Sequence, residues 1–144
     1  MREILFKAKR KDNGEWVEGF LLSDGMREPE HWFVGSIVIE PYKGTACDEW
    51  DITGIALEEI DISSLCQFTG LTDWNGKKIW ENDIVENGKQ RGKIVHRNCC
   101  FEIDWLQYNR YSGKHMTILT QHLFEGRCFA SIGNVFDNPE LLEV

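Results

Sequence analysis

The 144-residue chain lacks any apolar run close to the roughly 20 residues that a membrane-spanning helix needs. Its first residues, from Met1 to Lys7, include scattered charges and lack the apolar core of a signal peptide. We therefore expect a cytoplasmic protein that does not associate with membranes. The length suits one domain, or two small modules that share a core, and is sufficient to bury a hydrophobic interior.

The residue patterns of common catalytic and cofactor chemistry are also missing. No glycine-rich phosphate loop or dinucleotide fingerprint occurs in the sequence. His96 and Cys99 form a His-x2-Cys pair, but zinc usually takes four N/S ligands as two close pairs, and no second pair follows. The five cysteines are irregularly spaced, which favours free thiols in a chain without an export signal. We therefore predict no enzyme activity, no metal and no cofactor.

The net charge of −8 is unevenly distributed along the chain. Residues 21–61 hold ten acids and two bases, whereas residues 77–114 hold eight bases and five acids. Global acidity favours solubility and repels nucleic acid at long range. A local basic strip can still act as a contact surface for nucleic acid.

Alternating strands and tight turns dominate the first part of the chain. The alternation from Ile4 to Lys9, followed by Asn13-Gly14, predicts an opening β-hairpin. The return strand carries Trp16, Phe20 and Leu22 on one face. The next strand, Trp32 to Ile39, is apolar on both faces, which predicts a central strand covered on both sides.

The second part of the chain is predicted to form a small antiparallel barrel or roll. Residues 41–54 have no clear period and mark the best candidate for a module boundary, and Asp61 caps a predicted helical turn. Later strand signals come in quick succession and include tight turns at Asn75-Gly76, Asn87-Gly88 and Arg97-Asn98. A terminal helical turn is predicted to follow Asn138, and no longer helix is predicted anywhere.

Three blocks of the sequence have the order and spacing of a known family. The first comprises two stretches between Arg2 and Gly19, the second and most specific runs from Phe68 to Val85, and the third runs from Ile132 to Leu142. Together these blocks resemble the YopX family of bacteriophages and prophages. The resemblance implies a mainly β phage or prophage accessory protein without an assigned reaction. It also implies a β-rich N-terminal part and a C-terminal SH3-type barrel. From the strand and turn signals we assign residues 1–61 to the N-terminal antiparallel sheet and residues 62–144 to the barrel.

The central block departs from the family pattern at two positions. Asn82 stands where the family usually has glycine before Asp83, and Trp80 stands where tyrosine is more common. Asn tolerates positive φ better than most residues, so we expect the turn at Asn82 to persist. The block itself is interpreted as turn and core residues rather than as an active site.

Three hypotheses for function follow. The first is a non-catalytic accessory protein that binds a host or phage protein, with the acidic segment 21–61 as its contact face. The second is binding of single-stranded nucleic acid or structured RNA, with Trp74, Trp105 or Tyr108 as stacking surfaces. Its basic residues share one face of an extended strand and are Lys89, Arg91, Lys93 and Arg97. The same residues also suit the outward face of an edge hairpin, where they discourage strand pairing.

The third hypothesis for function is a homo-oligomer built through exposed aromatics and strand edges.

Overall fold

A computed structural model of the chain describes residues 3–41, 50–88, 90–109, 114–118 and 129–143. Within these ranges the protein is mainly β, and its helical structure is confined to two short 3₁₀ turns. The predicted fold class is therefore confirmed. No helix in the described ranges has the length and apolar character needed to cross a bilayer. The chain divides into two compact units, one of Ile4–Leu65 and one of Cys66–Val144 together with Met1–Glu3.

The N-terminal unit is built on four antiparallel strands. These are β1 Phe6–Lys9, β2 Trp16–Ser23, β3 Trp32–Pro41 and β4 Trp50–Glu59. They lie in the order β4-β3-β2-β1, so each strand pairs with its neighbours in sequence. A 3₁₀ turn, Ile62–Ser64, follows β4, and the Asp61 carboxylate accepts a hydrogen bond from the Ser63 backbone N–H at 3.0 Å. The predicted capped turn is confirmed.

The unit that begins at Cys66 contains a hairpin and a five-stranded antiparallel sheet. The hairpin consists of β5 Cys66–Thr72 and β6 Lys78–Trp80. The sheet, in the order β10-β9-β8-β7-β11, consists of β7 Asp83–Glu86, β8 Arg91–Arg97, β9 Cys100–Asn109, β10 Lys114–Ile118 and β11 Ala130–Asn134. The predicted terminal turn is confirmed as a 3₁₀ turn, Pro139–Leu142. Closure of the strands into an SH3-type barrel stays a prediction.

The core of the N-terminal unit lies on one face of its sheet. Ala8, Val34 and Ile60 are buried, and Val17 and Leu21 pack against them. The register explains this, because Ala8 lies opposite Val17 and Val34 lies opposite Leu21. The buried face of β2 therefore carries its odd-numbered residues.

The opposite face of β2 carries Trp16, Phe20 and Leu22, as their spacing predicts. That face is not the core face, because Phe20 and Leu22 are 55% and 45% exposed. Strand β3 is central, between β2 and β4, as predicted. The prediction that both its sides are covered is wrong for its C-terminal half, where Ile37 and Ile39 are 51% and 49% exposed. The apolar pattern of a strand shows which residues share a face, but it does not show whether another layer or solvent covers that face.

The Asn-Gly turns are not the two-residue type I′ turns that an Asn-Gly pair favours. Gly14, Gly76 and Gly88 have positive φ, but the asparagines that precede them do not. A two-residue type I′ turn needs positive φ at both central residues, so these three turns have other conformations. Asn82 has a φ of 66°, which confirms that asparagine sustains the turn there.

The turn between β8 and β9 does have positive φ at both central residues. These are Asn98 and Cys99, with φ of 50° and 62°, and they lie between the paired residues Arg97 and Cys100. The predicted turn at Arg97-Asn98 is therefore displaced by one residue, and Cys99 lies in the turn instead of in the strand. The sequence signal missed this, since cysteine is uncommon in left-handed backbone.

Cys99 is therefore a position where glycine should stabilise the protein. A non-glycine residue in left-handed conformation costs about 1 kcal/mol. We expect Cys99→Gly to raise the free energy of unfolding by about 1 kcal/mol, measured by urea denaturation under reducing conditions. Cys99→Ala keeps the backbone strain and should leave the midpoint near that of the wild type. Equal stabilisation by both variants would contradict the explanation.

Two glycines of the N-terminal sheet allow neighbouring backbones to approach closely. A Cβ at Gly35 would collide with the Ala56 carbonyl oxygen, and a Cβ at Gly19 would collide with the Gly35 carbonyl oxygen. By contrast, among the described residues no atom lies within 4 Å of a Cβ built at Gly54. Strand β3 therefore tolerates no side chain at position 35.

We expect Gly35→Ala to lower the free energy of unfolding by about 2 kcal/mol or more, because a backbone carbonyl cannot rotate away. The matched change Gly54→Ala, in the adjacent strand, should alter it by less than about 0.5 kcal/mol. Urea denaturation followed by circular dichroism measures both. Similar losses for the two variants would show that strand propensity, rather than the close approach at Gly35, sets the effect.

Candidate functional site

The most distinctive surface of the N-terminal unit is the sheet face opposite its core. Seven large apolar side chains of this face are 38% to 67% exposed, and we call them the apolar face: Phe20, Leu22, Ile37, Ile39, Ile52, Ile55 and Leu57. Isolated exposed apolar residues are ordinary on protein surfaces, whereas a contiguous group is not.

Strand register brings these side chains together. Residues directly opposite one another in adjacent strands point to the same face of a sheet, with Cβ atoms about 5 Å apart. The register pairs Ile37 with Ile55, Ile39 with Ile52, Leu22 with Phe33, and Gly35 with both Phe20 and Leu57. The apolar face is therefore continuous across β2, β3 and β4.

A β-bulge in β4 keeps the far end of the apolar face in line. Val38 pairs with Gly54 and Ile39 pairs with Ile52, so Thr53 is an extra residue between two pairs. The Thr53 hydroxyl donates a hydrogen bond to the Val38 carbonyl at 3.3 Å. If Thr53 were paired regularly with Ile39, Ile52 would point to the opposite face, because a one-residue slip inverts a strand.

The β1 side of the same sheet face has a different chemistry. The ammonium groups of Lys7 and Lys9 lie 5.0 and 5.4 Å from the ring centroid of Trp16. Lys9 and Trp16 are directly opposite in the register, so both belong to this face. The face thus changes from cationic and aromatic at β1 to aliphatic at β3 and β4.

Acids of segment 21–61 are engaged by groups of the same unit. The Glu58 carboxylate pairs with Arg10 at 3.1 Å. The Glu59 carboxylate contacts His31 Nδ1 at 2.7 Å and Lys11 Nζ at 3.0 Å. Hydrogen bonds from His31 and from Lys11 hold the pKa of Glu59 below its ordinary value. Glu58 and Glu59 are therefore paired with bases of their own unit.

Asp24 organises the loop between β2 and β3 in the same way. Its carboxylate accepts backbone N–H groups from Met26 at 3.0 Å and from Glu30 and His31 at 3.2 Å each. These bonds, that of Met26 first, lower the pKa of Asp24. Two other acids of the predicted acidic face, Asp48 and Glu49, lie outside the described residues.

The basic strip occupies alternate positions of β8. Arg91, Lys93 and Arg97 lie on one face of the strand, and Val95 between them is buried at 9% exposure. Lys89 lies outside the described residues. The alternation that suggested a shared face therefore holds for the three described bases.

Acids from the neighbouring strands lie on the same face as the strip. The Arg91 guanidinium pairs with Glu86 at 2.8 Å, and that of Arg97 with Asp104 at 3.4 Å. Lys93 lies directly opposite Asp104 in the register. The surface is consequently mixed in charge, which reduces its attraction for phosphate groups.

The three residues proposed as stacking surfaces have different environments. Trp74, in the turn between β5 and β6, is 64% exposed. Trp105 is 7% exposed and packs against Phe129 with ring centroids 5.7 Å apart, so its assignment as a stacking surface is wrong. The side chain of Tyr108 lies outside the described residues.

The His-x2-Cys pair is not assembled as a ligand set. The His96 ring packs on Phe101, with centroids 4.9 Å apart, and Cys99 lies in the exposed turn. Among the residues that the structure describes, no three His, Cys, Asp or Glu side chains are grouped so that they could hold a metal ion.

Two buried aspartates were missed by the turn-and-core interpretation of the central block. The Asp73 carboxylate accepts the Lys77 N–H at 2.9 Å and the Ser131 N–H at 3.2 Å. The Asp83 carboxylate accepts the Trp80 N–H at 3.0 Å and the Ser131 hydroxyl at 3.3 Å. They tie two turns to β11 and act structurally. No local signal links them to Ser131, which lies 58 residues beyond Asp73.

The family model described as YopX protein matches residues 5–143. The chain belongs to the YopX family. The crystal structure of protein EF1440 from Enterococcus faecalis is similar to this family member over 99% of this chain and 100% of that chain. Its TM-score is 0.57 and its sequence identity is 20%, a level at which the similarity shows the fold alone. No curated protein matches the chain.

The lowered pKa values of Asp24 and Glu59 predict acid sensitivity of the N-terminal unit. A carboxylate whose pKa is lower in the folded state stabilises the fold above its unfolded pKa, about 4, and this stabilisation is lost as pH falls through the folded pKa. The urea midpoint should therefore drop between about pH 6 and about pH 3. Asp24→Asn should show a smaller drop, and an unchanged drop would contradict the role of Asp24.

Proposed function

We propose that this YopX family member is a non-catalytic accessory protein that binds another protein through the apolar face. One observation supports this above all others, the seven exposed apolar side chains on one continuous sheet surface. A contiguous apolar patch of several hundred Å² is the size at which exposed apolar surface marks an interaction site. Removing apolar surface from water yields about 25 cal/mol per Å², so coverage by a partner is favourable.

The proposal places the contact on apolar side chains instead of the acidic segment as a whole. Glu58, Glu59 and Asp24 already contact groups of their own unit, and rearranging them for a basic partner would break those contacts. The partner's matching surface is therefore expected to be apolar. Family membership suggests a phage or prophage setting. The cytoplasm as the location and a host or phage protein as the partner are part of the proposal.

Nucleic-acid binding is the second candidate, and the exposure of Trp74 favours it. Exposed aromatic rings provide stacking surfaces for unpaired bases. It ranks below protein binding because Glu86 and Asp104 offset the charges of the basic strip. Wild-type protein that shows no retention on single-stranded DNA or RNA at low salt would eliminate this candidate.

The apolar face can be tested with the double variant Ile37→Lys/Ile55→Lys. These residues form a cross-strand pair within the face, and both are more than half exposed. Tagged protein is expressed in bacterial cells together with an untagged copy, and captured proteins are identified by mass spectrometry. We expect at least one protein, an untagged copy included, to bind the wild type and to be lost from the variant. The purified pair should then show affinity reduced at least tenfold.

The matched control is Ile62→Lys, which changes a 44% exposed isoleucine outside the apolar face. It should retain every protein that the wild type captures. If the wild type and both variants retain the same proteins, or only background, the apolar face is not a binding surface and the proposed function is wrong.

A further inference from the structure

We infer that the protein that covers the apolar face is a second copy of the same chain, and that the two N-terminal sheets pack face to face. This inference rests on the proposed function, because it names the partner that the apolar face binds. Two sheets packed in this way form a sandwich with about 10 Å between the layers. The side chains of the apolar face would fill that space from both sides.

The extent of the face suits a dimer interface. Specific interfaces bury roughly 800 Å² of each partner, and seven contiguous exposed apolar side chains would form the centre of such an interface. Six of the seven side chains are aliphatic and one is Phe20. A fully apolar patch of this kind is typical of the buried centre of homodimer interfaces.

The composition of the face suits contact with its own copy. A two-fold interface brings the same patch of both copies together, so the patch must be complementary to itself. The seven side chains of the apolar face meet this condition, because each of them would find an apolar side chain in the second copy.

Charge on the face also permits self-contact. Charged side chains near a two-fold axis meet their own copies, and like charges repel. In the described part of the sheet, the charged side chains of this face lie at its borders, with Lys7, Lys9 and Glu18 towards β1 and Glu59 at the end of β4. The seven central side chains carry no charge.

Edge pairing is the other way in which two such sheets associate, and β4 opposes it. Strand β4 is the last strand of its sheet. The extra residue Thr53 and the adjacent Gly54 interrupt its regular pairing pattern. Bulges of this kind protect edges from pairing with another chain. Packing through the face is therefore favoured over pairing through the edge.

Sedimentation velocity of the purified protein, from low to high micromolar concentration, tests the inference. We expect wild type to sediment as a species of twice 16.8 kDa. The Ile37→Lys/Ile55→Lys variant should sediment as a monomer, with a dimer dissociation constant raised on the order of 100-fold, as for two central contacts. Ile62→Lys, outside the face, should remain dimeric.

Circular dichroism and thermal unfolding verify that the variant is folded. Both isoleucines are more than half exposed in the single chain, so lysine should not disrupt its core. If the lysine variant does not fold, Ile39→Thr/Ile52→Thr provides the same test, because threonine keeps the β-branched side chain that strands favour. This pair should also weaken the dimer.

Wild type that sediments at 16.8 kDa at every concentration overturns the inference, as does a folded face variant that dimerises like wild type. The capture experiment separates this failure from failure of the proposed function. A monomeric wild type that captures a different protein, lost from the face variant, overturns only the second-copy inference. Capture that is independent of the apolar face overturns both.

Discussion

The register between β3 and β4 is the constraint on which the N-terminal unit depends. It places Gly35 against the Ala56 carbonyl oxygen, where no side chain fits. The same register aligns Ile37 with Ile55 and, through the bulge at Thr53, Ile39 with Ile52. One pattern of backbone pairing therefore determines both the requirement for glycine and the position of the apolar face.

Cross-strand pairing also changes the meaning of the charge distribution. The sequence separates an acidic segment from a basic one, yet some charges of each segment are paired with opposite charges of their own unit. Glu58 and Glu59 meet bases from the β1–β2 hairpin and the start of β3, while Arg91 and Arg97 meet acids from β7 and β9. The ion pairs between neighbouring strands determine the local electrostatic potential, so charge counts along the chain are a poor guide to binding surfaces.

The two faces of the N-terminal sheet differ in what they contribute to the fold. Ala8, Val34 and Ile60 supply the core of the N-terminal unit on one side of the sheet. The other side gains nothing for the isolated fold from seven exposed apolar residues, since exposed side chains contribute little to stability. Asp73 and Asp83 are a different case, because their buried carboxylates accept backbone N–H groups and so stabilise the fold.

The sequence by itself determined the β class, the family, the helical turns at both Asp61 and Asn138, and the left-handed backbone at Asn82. Each of these depends on signals within a few neighbouring residues, or on order and spacing along the chain. Only the tertiary structure decided which face of β2 is buried, that Trp105 is core, and that Asp73 meets Ser131. These outcomes depend on strand register and on residues distant in sequence, which local patterns do not specify.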